Sequence, residues 1–160
     1  MKKLLLIMMA MFAFGLQNVC AQGPMKIISG HPDFNIKVKR CAASGKTVVI
    51  DMVFTNRSEN DVDLEIGVMY EWTKIHDDQG NEYVNGMMDE TITLKIGNKK
   101  PTNYNEKFTL ISGVPTKAQW VIKGVPESCE EISRMQFNVD SEAWSLHDKS
   151  TIRNIPIFRD

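Results

Sequence analysis

From residue 34 onward, apolar side chains in this chain recur at every second position, the period of a strand with one buried face. "FNIKVK" sets Phe34, Ile36 and Val38 against Asn35, Lys37 and Lys39. "TVVIDMVFTN" repeats the pattern with Val48, Ile50, Met52 and Phe54, and Val49 and Val53 make its other face partly apolar, as in a central strand. Between these two, "CAASGK" supplies Ser44 and Gly45 for a reversal, which predicts an antiparallel hairpin. Val62, Leu64 and Ile66 alternate with acids until Gly67, where a bulge or bend is expected. Ile92, Leu94 and Ile96, Phe108 and Leu110, Ala118, Trp120 and Ile122, and Met135, Phe137 and Val139 continue the series. "TIRNIPIF" reads as a final edge strand, because Pro156 has no N–H for a ladder. No segment past the leader holds a period of 3.6 over three turns, and "PESCEEIS" has room for one helical turn. Roughly eight to ten short strands in one small domain, each with one apolar face, call for two packed antiparallel sheets, a β-sandwich.

The start of the chain has a different grammar. Lys2 and Lys3 precede an apolar run from Leu4 to Leu16, followed by polar residues and the triplet Val19, Cys20, Ala21. This is the order of a secretory signal peptide, and the run is shorter than the roughly twenty residues a membrane-spanning helix needs. Residues 1–21 are therefore expected to be a leader, with residues 22–160 a single domain exported to the periplasm or beyond and lacking a membrane span. Acylation of Cys20 is the lesser alternative, since Gln17, Asn18 and Val19 lack the small residue that a lipobox places before its cysteine. Loss of Lys2 and Lys3 from 19 basic residues against 20 acidic ones moves the formal net charge from −1 to −3, which argues against a nucleic-acid partner. Cys41 and Cys129 then remain, and an oxidising compartment makes them a candidate disulfide, with two separate buried thiols as the alternative.

The densest cluster of polar chemistry is "HDDQGNEY", residues 76–83. A calcium loop of the EF-hand kind needs glycine at position 6 and glutamate at position 12. Counting from Asp77 or from Asp78 fails both tests, whereas a turn with Asp77 at its head, Asp78 within it and Gly80 at a positive φ fits. His31, His76 and His147 lie in separate segments without metal-ligand spacing, and no GxSxG elbow occurs. The adjacent acids Asp77 and Asp78, Asp89 and Glu90, and Glu130 and Glu131 read as solvated turns. Neither a catalytic set, a metal site nor a cofactor is expected. Trp72 and Trp120 sit in alternating stretches and are assigned to the core; Trp144 and Tyr104, in polar segments, are the candidates for exposed binding residues.

The stretches "VVIDMVFTNRSENDVDL", "IHDDQGNEYV", "NEKFTLISGVPTKAQWVIKGVPE" and "ISRMQFNV" together resemble the uncharacterised bacterial extracellular immunoglobulin-like domains of secreted proteins and lipoproteins, over Phe34 to Val139. The leader ending "VCAQ" and the "IRNIPI" tail are similar to those of Bacteroides-type envelope proteins. The resemblance implies an immunoglobulin-like sandwich and carries over no catalytic residue. The expected function is a binding or interaction module whose partner is an exported protein or a glycan. Two other classes stay open: a small exported hydrolase whose loop acids and His147 assemble in space, and an inhibitor or accessory subunit.

Overall fold

In a computed structural model, which describes residues 23–68, 72–86, 89–99, 106–144 and 146–159, the alternating stretches become twelve strands. They are β1 (Lys26–Ile28), β2 (Phe34–Ser44), β3 (Thr47–Asn56), β4 (Val62–Ile66), β5 (Thr73–His76), β6 (Glu82–Tyr83), β7 (Ile92–Ile96), β8 (Glu106–Leu110), β9 (Thr116–Lys123), β10 (Glu131–Ser141), β11 (Leu146–Pro156) and β12 (Phe158–Arg159). The larger sheet runs β1-β11-β10-β4-β8, with β5 on β10 and β6 on β5; the smaller runs β12-β2-β3-β9-β7. Every pairing is antiparallel except β12 on β2. The fold is all-β, an immunoglobulin-like sandwich.

The inward residues of the two sheets make one core. Val48, Ile50, Met52 and Phe54 of β3, Ala118, Trp120 and Ile122 of β9, and Ile92, Leu94 and Ile96 of β7 are buried on the smaller sheet. Val62, Leu64 and Ile66 of β4 and Met135, Phe137 and Val139 of β10 meet them from the larger. Phe137 joins the layers: its ring centroid lies 5.3 Å from that of Trp120 and 6.1 Å from that of Phe54. Phe54 in turn tilts against Phe34 at 5.1 Å. Each such side chain stabilises by about 1.5–3 kcal/mol when fully buried.

Two interruptions keep this alternation in phase. Between Val38, which pairs with Met52, and Arg40, which pairs with Asp51, the register shifts and Lys39 is the extra residue. Strict alternation would turn Arg40 inward and Cys41 outward; the bulge resets the phase, so that Cys41 is 2% exposed and Lys39 and Arg40 are both exposed. On the larger sheet β4 and β5 follow one another along the same edge of β10, pairing Ile66 with Val139 and Thr73 with Phe137. The intervening excursion begins at Gly67, whose carbonyl accepts the Thr73 hydroxyl at 2.7 Å.

The structure differs from the sequence expectations in several places. β2 continues through Cys41–Ser44, and only Gly45 and Lys46 form the reversal. The tail is not an edge strand: β11 lies between β1 and β10, and Pro156 stands at its end, after which the chain crosses to β12 at the rim of the smaller sheet. "PESCEEIS" holds no helical turn; Cys129 N–H donates to the Pro126 carbonyl in a tight turn and β10 begins at Glu131. Trp72 is half-buried outside the strands, whereas Trp120 is fully buried.

At the opposite rim, β7 pairs with β9 on one side. The Gly97 N–H to Lys117 carbonyl and Lys123 N–H to Thr91 carbonyl bonds direct the odd-numbered peptide groups toward β9, so those of Ile92 point away from it. There the buried Asn85 side chain takes both: its Oδ1 accepts the Ile92 N–H at 2.7 Å and its amide donates to the Ile92 carbonyl.

Trp120 tests the inter-sheet contact. Its Nε1 has no hydrogen-bond partner among the described residues although the side chain is fully buried. Truncation to alanine should cost about 3–5 kcal/mol. Trp120→Phe, which also removes the unsatisfied N–H, should cost markedly less; urea denaturation of both variants measures the difference.

Candidate binding surfaces

The "HDDQGNEY" segment is the corner of the β5–β6 hairpin, with Ile75 paired to Tyr83 and His76 to Glu82. Asp77 heads the turn. It is 3% exposed, and its carboxylate accepts four hydrogen bonds: Oδ1 from the N–H groups of Gln79 (3.0 Å) and Asn81 (2.8 Å), Oδ2 from the Asn81 amide (2.8 Å) and the Tyr83 hydroxyl (2.7 Å). Gly80 supplies φ = 85°. Asp78 turns the other way: its Oδ2 accepts the Glu130 N–H at 3.0 Å, its own N–H donates to the Glu131 carbonyl, and Gln79 Nε2 donates to Ser128 Oγ at 2.8 Å. The corner is thereby fastened to the loop that leads into β10. Donors occupy the Asp77 oxygens where a cation would need free lone pairs.

Burial drives the Asp77 carboxyl upward, but the hydrogen bonds from Asn81, Tyr83 and Gln79 outweigh it and hold the pKa below the ordinary 3.8. Tyr83 is raised by burial and by its bond to Asp77. Glu131 is raised above 4.5, first by burial and then by the charge of Asp78.

Cys41 and Cys129 correct the disulfide expectation: both are buried free thiols. Burial, and then for Cys41 the neighbouring Cys129 and for Cys129 the Asp78 side chain, push each thiol up to about 12. Arg159 closes this corner, its guanidinium donating to the carbonyls of Gly45, Pro126 and Cys129.

Of the two proposed exposed aromatics, Tyr104 lies outside the described residues. Trp144 is half-buried, stacked on His31 at 4.5 Å and 4° and tilted at 45° against Phe34 at 6.1 Å. His147 pairs through its backbone with Asp140. Among the described residues no group of three or more His, Cys, Asp or Glu is placed to hold a metal ion. Cys20 and the leader also lie outside the described residues.

One open concavity, of about 420 Å³, lies at the Arg159 corner and is lined by Ser128, Cys129, Glu130 and Phe158; two more are on the outer faces of the sheets, where no sequence signal stood out. One, of about 580 Å³, lies over β4, β8 and the end of β10 and is lined by Asp61, Asp63, Glu65, Asp140 and Glu142 together with Lys107. Several of these acids are engaged: Lys107 Nζ is 3.3 Å from Glu65, the Thr109 hydroxyl donates to Asp63 at 2.6 Å, and Ser112 N–H donates to Asp61 at 2.8 Å. The other, of about 470 Å³, lies over β3, β9 and β7, is bordered by Lys39, Lys95 and Lys117 and also reaches Val53 and Gly97. Strand pairing assembles it: Lys37 and Lys117 flank Val53, and Lys95 stands beside Gln119, which stands beside Asp51. The only signal for it in the sequence is a lysine at outward positions of three distant strands. Compared with known protein families and with curated proteins, the chain matches none.

Two outcomes follow from the buried groups. A folded-state pKa below 3.8 makes the stabilisation by Asp77 complete above that pH and lost as the pH falls toward and through the folded value. Glu131 has the opposite sign: its contribution is present below 4.5 and lost as the pH rises through its raised value. In a Glu131→Gln background, melting temperatures from pH 5 to pH 2.5 should therefore fall, and adding Asp77→Asn should flatten the fall, with a cost of about 1–3 kcal/mol at neutral pH. For Cys41 and Cys129, a thiol reagent should label neither in the native chain from Gln22 onward and both after unreduced denaturation.

Proposed function

We propose that the chain is an exported, non-catalytic binding module of the bacterial envelope, periplasmic or extracellular, whose partner is an exported protein or a glycan met on an outer sheet face. The observation that carries this reading is how the chemistry is distributed. Among the groups with displaced protonation, Asp77 and Tyr83 are tied into the β5–β6 corner, Cys129 and Glu131 sit at the start of β10 and Cys41 in the core, whereas Lys107, raised by its bond to Glu65, lines a concavity as half of an ion pair. The two concavities on the sheet faces are lined by charged side chains, mostly acidic on the larger sheet and mostly basic on the smaller. Such surfaces recognise by charge complementarity and need no proton transfer. The resemblance to extracellular immunoglobulin-like domains and the leader pattern of residues 1–21 support the envelope address.

Residues 1–21 fused to a leaderless reporter enzyme should carry it across the inner membrane. The chain from Gln22 onward, immobilised, should retain a specific component of envelope extract that salt elutes, and should turn over no glycoside, ester or peptide substrate. Turnover without a retained component overturns the reading.

A further inference from the structure

We propose that the outer face of the smaller sheet binds an acidic polysaccharide, a sugar polymer bearing carboxylates at regular intervals, along the trough between Lys39, Lys95 and Lys117. This rests on the binding-module reading and names the ligand class of one of its surfaces.

The first support is charge. Apart from Arg159, which is committed to loop carbonyls, the strands of this sheet carry Lys37, Lys39, Arg40, Lys95, Lys117 and Lys123 against one carboxylate, Asp51. Asp51 is already taken, by Arg40 Nε at 3.0 Å and Gln119 Nε2 at 2.8 Å. Among the described residues Lys37, Lys39, Lys95 and Lys117 form no ion pair. A chain of net negative charge thus gathers four unneutralised ammonium groups on one face, with Lys37 and Lys117 only two strand spacings apart, about 10 Å. Their mutual repulsion is relieved by an anion that spans them.

The second support is shape and backbone. The bulge adds Lys39 to the outward side, beside Arg40, without displacing Cys41 from the core. The trough also reaches Val53 and Gly97, and a Cβ built on Gly97 meets nothing within 4 Å. The peptide groups beneath are used in the β3–β9 and β9–β7 ladders. A peptide laid here gains no strand addition, whereas a sugar polymer loses nothing for want of it.

The third support is the polar pair in the middle. Asp51 and Gln119 sit among the lysines, and beyond the bonds to Arg40 and to each other they offer further acceptor positions to hydroxyls. A uronate polymer presents both features, carboxylates for the ammonium groups and hydroxyls for Asp51 and Gln119. Lysines, as flexible point charges, read charge spacing without the bidentate geometry that arginine imposes.

The test is titration calorimetry of the mature chain with polygalacturonate, with dextran, polyglutamate and duplex DNA as comparison polymers. Polygalacturonate should bind and dextran should not, and affinity should fall about fivefold or more between 50 and 200 mM salt. Lys95→Glu with Lys117→Glu should lose about tenfold or more, while Lys26→Glu with Arg134→Glu, an equal charge change on the larger sheet, should change affinity less than about twofold. Thermal melts check that both pairs fold. No binding of polygalacturonate, equal loss in the two variant pairs, or binding of polyglutamate or DNA as tight as that of polygalacturonate overturns the proposal. If the wild type and the Lys95→Glu, Lys117→Glu variant retain the same envelope component, the trough assignment fails and the module reading stands. If neither retains one and turnover is found, the module reading itself fails.

Discussion

The sandwich depends on one aromatic contact between its layers. Phe137 reaches from the larger sheet to the rings of Trp120 and Phe54 on the smaller, and Phe54 passes the contact to Phe34 and thence to Trp144 and His31. Tilted rings prefer particular separations and angles, so the row fixes how the sheets sit. The rest follows from keeping those rings inward: the Lys39 bulge and the excursion at Gly67 are places where a strand adjusts its count so that the next core residue arrives on the correct side.

Once the layers are fixed, the rim must be closed with polar groups in a poorly solvated setting. Asp77 does so by facing four donors at once, and Arg159 by facing three carbonyls. Asp78 and Gln79, next to Asp77, tie the β5–β6 corner to the approach of β10, and Arg159 ties β12 to the β2–β3 turn and to that same approach. On the smaller sheet this leaves Lys37, Lys39, Lys95 and Lys117 without an ion pair among the described residues. The proposed recognition rests on that ground.

Much of this architecture was legible in the residues, because a period of two is a local signal. The alternation around Ile50, Leu64, Leu94, Trp120 and Phe137 places each of those side chains in the core where it is found. What was not legible depends on neighbours distant in the chain. Pro156 suggests an edge, yet β11 is interior because the proline falls at its last register position. Cys41 and Cys129 share a corner without a bond between them, a matter of side-chain approach on which spacing is silent. Lys39, Lys95 and Lys117 are unremarkable in their own segments and become a surface only through the order β2-β3-β9-β7. Charge counted over the whole chain averages that surface away.

Asn85 carries a last consequence. By presenting its amide to both peptide groups of Ile92, it imitates one residue of a neighbouring strand and occupies the place where a real one would begin to zip. A bare rim on a five-residue apolar strand invites a second molecule to continue the sheet. The side chain thus fills the first outward pairing position of that rim with the protein's own hydrogen bonds, which blunts the edge at the point where a foreign strand would enter.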